Sequence, residues 1–150
     1  MKLKARFCVC GAAYLLLSAC GGGTSSGGGL PLTGPASNPG LWEFLTSITV
    51  VVEGSTQTLE HTTVANVAAS GAVTVTETDS DCALSIFVNG NVLNYWEDCT
   101  FNTSTVPCVV ELRSTGTFFG NTVSSSFGPK SFICQGVPVS FSGNLVGKKL

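Results

Sequence analysis

The chain has 150 residues and few charges, since Asp, Glu, Lys and Arg together make up 11% of it. Residues 20–150 contain four basic residues against nine acidic ones, which leaves a formal charge of −5. This acidic balance excludes a nucleic-acid-binding protein, which needs a clustered basic face. Ser, Thr, Val, Gly and Phe are abundant, and helix-forming runs are absent after residue 40, so the composition favours β-structure.

The first 19 residues have the layout of a secretory signal peptide. Lys2, Lys4 and Arg6 form a positively charged start, and Phe7 to Leu17 form an apolar stretch of eleven residues. That stretch is about half of the roughly 20 residues that a membrane-spanning helix needs. We therefore expect this segment to direct export and then to be removed.

The stretch ends in Leu17-Ser18-Ala19-Cys20, which resembles the lipobox of bacterial lipoproteins. The resemblance implies that Cys20 carries a diacylglycerol, that cleavage occurs just before it, and that the new amine is acylated. Because each buried methylene contributes about 0.8 kcal/mol, two or three acyl chains anchor a protein stably. Gly21 stands where an Asp would resemble the inner-membrane retention signal, which favours the outer membrane of the cell envelope.

Residues 20–40 are predicted to be a tether, and residues 41–150 a single domain. The tether is rich in Gly, Ser and Pro and too polar to bury a core. The remaining 110 residues suffice for one hydrophobic core and not for two. The domain is thereby expected to stand in the aqueous space, close to the membrane.

The domain is predicted to be all-β, an antiparallel meander of about eight or nine strands, because short alternating apolar runs are separated by turn residues. In the first run, Trp42, Phe44 and Ile48 share one face and Glu43 and Thr49 the other. The runs are Leu41–Val52, Thr58–Ala69, Ala72–Thr78, Cys82–Val88, Val92–Phe101, Val106–Arg113, Thr117–Phe119, Thr122–Phe127, Ser131–Cys134 and Val137–Val146.

Three Gly-Asn pairs, at Gly90-Asn91, Gly120-Asn121 and Gly143-Asn144, are predicted to be hairpin turns, which need residues that tolerate positive φ. A meander of this size either closes or leaves edges open to other chains. The strand count resembles the small barrels of the lipocalin-like group, and a sandwich is the alternative. Pro39 to Glu43 also resembles the opening of an uncharacterised periplasmic family of proteobacteria, and the closing Phe-Ser-Gly-x-Leu strand resembles uncharacterised bacterial lipoproteins.

Four cysteines, Cys82, Cys99, Cys108 and Cys134, remain in the domain and predict two disulfides in an oxidising compartment. Cys82–Cys99 with Cys108–Cys134 is favoured. A two-residue turn at Asn89-Gly90 would, however, make Cys99 only a diagonal neighbour of Cys82, so this pairing is expected to need a longer loop or a bulge. A turn at Thr103-Ser104 would instead pair Cys99 with Cys108. The spacings lack the C-x-x-C pairs of a zinc site.

No catalytic, metal or cofactor site is predicted. His61 is the only histidine, and neither a Gly-x-Ser-x-Gly elbow nor an orienting carboxylate for it can be identified. The acidic run Glu77, Asp79 and Asp81 lacks the Gly and the distal Glu of a calcium loop. The adjacent Glu97 and Asp98 should point to opposite faces of a strand, unlike the carboxylate pair of a glycosidase.

Eleven aromatic side chains supply most of the large apolar area, and one of the adjacent pair Phe118-Phe119 must face outwards. The resulting hypothesis is a non-catalytic, lipid-anchored envelope protein that binds a small apolar ligand or lipid in its barrel. The alternative is an interaction module that contacts another envelope protein through a strand edge or an aromatic patch.

Overall fold

A computed structural model describes residues 29–102 and 107–150 and shows an all-β domain. Its eight strands form one antiparallel sheet in the order β3-β2-β1-β8-β7-β6-β5-β4, which curls into a nearly closed barrel. The predicted all-β meander is therefore confirmed. The strands are β1 (Gly40–Val52), β2 (Ser55–Val67), β3 (Val73–Thr78), β4 (Ala83–Asn89), β5 (Val92–Asn102), β6 (Pro107–Phe119), β7 (Thr122–Cys134) and β8 (Val137–Lys149).

Alternating side chains along each long strand point into the barrel, as the period of a β-strand requires. On β1 the inward residues include Trp42, Phe44 and Ile48, which are all fully buried. They pack with Tyr95 and Phe127 into a single core, in which the Phe44 and Tyr95 rings lie 5.8 Å apart. Burial of these large side chains is the main force that curls the sheet.

Four tight turns connect the long strands, and their residues explain their geometry. Glu53-Gly54 and Gln135-Gly136 have positive φ at both positions, which is the pattern of type I′ hairpins. At Gly90-Asn91 and Gly120-Asn121 only the glycine has a positive φ, as in type II′ hairpins. These two predicted turns are confirmed.

The third predicted turn, Gly143-Asn144, is wrong, because both residues lie inside β8 and pair with β1. A Cβ at Gly143 would collide with the carbonyl oxygen of Ser47 and with the Cα of Ile48. The glycine is there because the β1 backbone approaches β8 closely, not because the chain turns.

The ten predicted runs become eight strands because two of the predicted breaks are absent. Residues 107–113 and 117–119 belong to β6, which continues through Ser114 to Gly116. Residues 122–127 and 131–134 belong to β7, where a register shift between Phe127 and Lys130 marks a bulge. Gly128-Pro129 occupies this bulge, which suits a proline because it has no N–H to donate to a neighbour.

The barrel has a seam between its two outermost strands, β3 and β4, which are not joined by a hydrogen-bonded ladder within the described residues. Side chains of the next strands inwards, β2 and β5, meet behind this seam. His61 Nε2 lies 2.7 Å from Glu97 Oε1, and the hydroxyl oxygens of Thr63 and Tyr95 are 3.2 Å apart. These four side chains, here called the polar cluster, close the barrel where the backbone ladder is interrupted.

The two ends of the barrel differ. At the tether end, where β1 begins, residues 34–38 fold back onto the barrel: Gly34 N–H donates to the Val88 carbonyl and Ala36 N–H to that of Ala69. The indole N–H of Trp42 donates to the Asn38 carbonyl at 3.1 Å. The distal end carries the hairpins at 53–54 and 135–136 and the loop 79–82. The tether and the distal hairpins are thus separated by the length of the strands.

Replacement of Glu97 tests the polar cluster. Glu97→Ala is expected to lower the free energy of unfolding by about 3–5 kcal/mol, because it leaves the partners of a fully buried carboxylate without a counterpart. Asp98→Ala is the matched control. Its carboxylate lies on the outer face, 2.7 Å from Arg113 Nη1, and its loss should cost at most about 1 kcal/mol. Urea unfolding with intact disulfides measures both; equal losses would show that the cluster does not hold the seam.

Candidate ligand-binding site

The wall of the barrel contains a slot between β6 and β7. The two strands pair only next to their hairpin, over the three residue pairs from Thr117↔Ser124 to Phe119↔Thr122. Beyond Ser124 no further ladder joins the described parts of the two strands, and the bulge at Gly128-Pro129 lies in this part of β7. A bulge bends its strand and interrupts pairing, which explains why the slot lies here.

Side-chain links close the slot at both ends. At the hairpin side, the hydroxyl groups of Ser114 and Ser125 are hydrogen-bonded to each other. At the distal end, the disulfide between Cys108 and Cys134 joins the strands, with a Cα–Cα distance of 6.1 Å. The opening between these two links is therefore of fixed length.

The floor of the slot is apolar and its rim carries two opposite charges. The slot has a volume of about 200 Å³ and is lined by Val109, Glu111, Lys130, Phe132 and Phe141. The Val109 side chain is 59% exposed, whereas Phe141 belongs to the buried core. An apolar group that entered the slot would thus reach the edge of the core without unfolding the barrel.

A second, larger hollow adjoins the slot and shares Phe132 with it. It has a volume of about 400 Å³ and lies at the distal end, where its apolar lining includes Val51, Ile133 and Pro138. Ile133 is 67% exposed. The slot and this hollow, which share the Phe132 side chain, are here together called the apolar groove, and the volume of the hollow alone is in the range of small-molecule sites.

The centre of the barrel is filled by protein side chains, and a hollow of about 440 Å³ with a mixed polar and apolar lining remains at its distal end, next to His61, Asp79 and Phe101. Trp42, Phe44, Tyr95 and Phe127 are among the largest fully buried residues and lie where a ligand of a hollow barrel would sit. Trp42 also contacts Phe118, with ring centroids 4.6 Å apart. The apolar groove in the wall is therefore the candidate site, rather than the enclosed cavity expected from the sequence.

All four domain cysteines are in disulfides, Cys82–Cys99 and Cys108–Cys134. The first requires neither a longer loop nor a bulge, because the turn lies at Gly90-Asn91 instead of Asn89-Gly90. This shift of one residue pairs Ala83 with Asp98 and puts Cys82 directly opposite Cys99, at a Cα–Cα distance of 4.6 Å. Such a distance is typical of a non-hydrogen-bonded pair in an antiparallel ladder.

The alternative pairing of Cys99 with Cys108 is excluded by the register of β5 and β6. In this ladder Phe101 is opposite Cys108, and Cys99 is opposite Val110. The turn proposed at Thr103-Ser104 lies outside the described residues. Because the four sulfur atoms form two disulfide bonds, they are not available as thiolate ligands for zinc.

His61 does have a carboxylate beside it, contrary to the sequence interpretation, because Glu97 of β5 reaches it across the seam. The contact is close, although its angle is not that of a good hydrogen bond. Ser80 Oγ donates to the same Glu97 oxygen at 3.2 Å, so this serine is not hydrogen-bonded to the imidazole. In a serine–histidine–carboxylate triad the histidine lies between the serine and the carboxylate and contacts both. Here the carboxylate lies between the serine and the histidine, so these residues do not form such a triad.

One acidic residue of the loop before Cys82, Asp79, has a structural contact. The Asp79 carboxylate accepts a hydrogen bond from the Thr62 N–H at 2.6 Å, which extends the pairing of β2 beyond β3. Glu97 and Asp98 point to opposite faces, as the strand period requires: Glu97 is fully buried and Asp98 contacts Arg113. Among residues 29–102 and 107–150, no three His, Cys, Asp or Glu side chains are grouped so as to hold a metal ion.

The adjacent aromatic residues Phe118 and Phe119 do face opposite ways, with Phe118 buried and Phe119 82% exposed. Sequence reasoning missed Val109, Lys130 and Ile133 as members of a candidate site. The available signal was Gly128-Pro129, since a proline within a strand-like run indicates an edge or a bulge. It was interpreted as a break between strands, and the slot was therefore not predicted.

No protein-family model, curated protein or solved structure matches this chain. In the part of the chain that the structure describes, no helix has the length and apolar character needed to cross a membrane. The predicted signal peptide, the lipobox and Cys20 lie outside the described residues.

Titration of Tyr95 tests the environment of the polar cluster. Burial, and secondly the nearby charge of Glu97, raise the pKa of Tyr95 from 10.0 to about 12. The buried neutral phenol should therefore contribute stability that is fully present below pH 10.0 and is lost as the pH rises towards about 12. Ultraviolet absorbance of the phenolate measures the ionisation, and Tyr95 is the only tyrosine after residue 19.

A urea-unfolded sample of the same processed chain is the control, and it should titrate near the ordinary tyrosine value. Titration of the folded protein at that ordinary value would contradict the buried environment of the hydroxyl group.

Proposed function

We propose that this chain is a non-catalytic, lipid-anchored protein of the bacterial cell envelope that binds an apolar ligand or a lipid chain in the groove of its barrel wall. The lipobox-like sequence ending at Cys20 supports the anchor and the localisation at the outer membrane. The two disulfides fit an oxidising, extracytoplasmic compartment.

The observation that carries the ligand proposal is the separation of β6 from β7 above an apolar floor. A sheet normally covers its core with continuous strands, but here Phe132 and Phe141 line an opening between two side-chain links. Burial of an acyl chain against such a floor would be favourable by about 25 cal/mol per Å² of apolar surface. Binding requires no rearrangement of the ladder, because the strands are already apart.

The position of the groove agrees with this function. The hollow that extends the slot lies at the distal end, away from the residues that lead to the tether. A ligand in the aqueous space would therefore have access to the groove while the protein remains anchored. Lys130 and Glu111 on the rim are able to contact the polar part of an amphipathic ligand.

A charge at the rim tests the groove. Val109→Asp is expected to weaken the binding of a fluorescent long-chain fatty acid at least about tenfold, because the new carboxylate must lose water when the chain enters. Val75→Asp is the matched control, since Val75 is also an exposed valine but lies on β3, away from the groove. Fluorescence titration of the full lipoprotein measures both affinities. Unchanged affinity for Val109→Asp, or equal weakening in both variants, would refute the site.

An interaction module is the second candidate, and the seam supports it. The facing edges of β3 and β4 are not joined by a ladder, and such edges can bind an extended segment of another chain. The protein's own residues illustrate this binding: Ala36 forms a parallel bridge with Gly90, next to the end of β4. A partner strand would use the part of the seam that this segment leaves open.

Site-specific photocrosslinking in intact cells tests the second candidate. A crosslinker at Thr76 of β3 should give a defined adduct with one envelope protein, whereas a crosslinker at Asn144 should not. Asn144 is exposed but lies in β8, which is paired with β1 and β7 on both sides. No adduct at Thr76, or the same adducts at both positions, would count against a partner at the seam.

A further inference from the structure

Among the described residues, five of the ten exposed large apolar side chains lie at the tether end of the barrel. The tether-end patch consists of five residues of β1, β6 and β8 and the C-terminus, namely Leu41, Leu45, Phe119, Val146 and Leu150, each of them exposed. They are close together because of the strand register: Leu45 is directly opposite Val146, and Leu150 N–H donates to the Leu41 carbonyl. Exposed apolar residues that are grouped in this way indicate a contact surface.

The only two basic residues of the domain that are adjacent in the sequence, Lys148 and Lys149, lie at the same end of the barrel. Lys148 points outwards within the patch, whereas Lys149 is opposite the buried Trp42 and lies at the mouth of the barrel, next to Gly40. Lys148 is opposite Thr122 of β7, which is itself opposite Phe119, so that the lysine and the aromatic ring lie in one row across the strands. Lys149 follows at the end of β8, where its N–H donates to the Asn121 carbonyl. Glu43 forms an ion pair with Lys148 at 2.9 Å and neutralises part of this charge, whereas Lys149 forms no ion pair with another residue of the described part of the chain.

The opposite end of the molecule is acidic. Glu53 lies in the distal hairpin, and Asp79 and Asp81 lie in the loop between β3 and β4. The charge of the molecule is therefore polarised along its length, with Lys148 and Lys149 at the tether end and these carboxylates at the distal end. An anionic surface would attract the first end and repel the second.

We infer that the tether-end patch rests on the surface of a bilayer that contains anionic lipids. Three observations select a bilayer as the occupant: the chain preceding residue 34 leaves from this end, the lysines lie there, and aromatic and aliphatic side chains surround them. Amphipathic surfaces of this composition bury their apolar residues at the level of the headgroups, with basic residues near anionic lipids. The inference rests on the proposed lipid anchor, which brings this end to the membrane.

In this orientation the barrel stands on the membrane instead of moving freely on its tether. The slot and the hollow next to Ile133 would then face the aqueous space with a fixed direction. Residues 34–38 support this orientation, because they bind the barrel directly and leave fewer residues of the predicted tether to act as a spacer.

Lysine labelling of the anchored protein tests the inference. After residue 19 the chain has only three lysines, Lys130, Lys148 and Lys149, and the first lies away from the patch. The full lipoprotein is inserted into vesicles of phosphatidylethanolamine and phosphatidylglycerol and treated with a water-soluble acylating reagent. Mass spectrometry gives the ratio of labelling at Lys148 and Lys149 to that at Lys130.

Two matched variants give the decisive comparison. Phe119→Ser, which changes an 82% exposed side chain and should not affect folding, is expected to raise this labelling ratio about threefold, because the patch loses its main membrane contact. Val75→Ser changes an exposed residue of β3, outside the patch, and should leave the ratio at the wild-type value. Identical ratios for wild type and both variants would overturn the inference.

The anchor and the patch have separate readouts. Failure of the wild-type protein to float with the vesicles would show that the proposed lipid anchor is wrong. Flotation together with unprotected Lys148 and Lys149 would overturn the patch alone. A further outcome is that Lys148 and Lys149 are protected equally in vesicles of phosphatidylcholine and that this protection increases with the protein density. It would identify a second copy of the chain as the occupant and also overturn the inference.

Discussion

The barrel depends on contacts between β2 and β5, two strands that are not neighbours in the sheet. An eight-stranded sheet can enclose its core only if its two outermost strands come together, and here the backbones of these strands, β3 and β4, do not form a ladder within the described residues. His61 with Glu97 and Thr63 with Tyr95 connect the two sides behind them. A fully buried carboxylate is costly in an apolar interior, so its neighbours must supply polar contacts that replace water. Closure of the barrel thus rests on side chains that are individually unfavourable to bury.

The slot follows the same principle on the other side of the barrel. Wherever the ladder is interrupted, a side-chain link keeps the strands at a fixed distance: the polar cluster at the seam, and the Ser114–Ser125 contact and Cys108–Cys134 at the slot. A disulfide stabilises chiefly by restricting the unfolded chain, and it does so without covering the surface next to it. An opening in the wall can therefore persist without loss of the fold, which is the physical requirement for a binding site in the wall of a barrel whose centre is filled by side chains.

Local patterns in the sequence were sufficient for the strands and most turns, because strand period and hairpin chemistry act over a few residues. The seam was not predictable in this way. His61 and Glu97 are 36 positions apart in the sequence, and their contact requires the sheet to close, which no local pattern reports. Gly143 shows a second limit of prediction from local sequence. A glycine that is needed because two backbones approach closely cannot be distinguished in the sequence from a glycine that is needed for a turn. The Cys82–Cys99 geometry depended on a shift of one residue in the turn, and such a shift changes every pair in the ladder.

The two ends of the barrel carry different surface features. The strands run along the barrel, so each described hairpin and the C-terminus belong either to the tether end or to the distal end. Basic and apolar residues at the C-terminus of β8 join the exposed Phe119 at the tether end, whereas the acidic turn and loop and the larger hollow lie at the distal end. Because the polar cluster, the serine contact and the two disulfides hold the strands in register, they also keep these two ends apart. A protein held at a membrane by one end needs such a rigid separation if its groove is to remain open to the aqueous space.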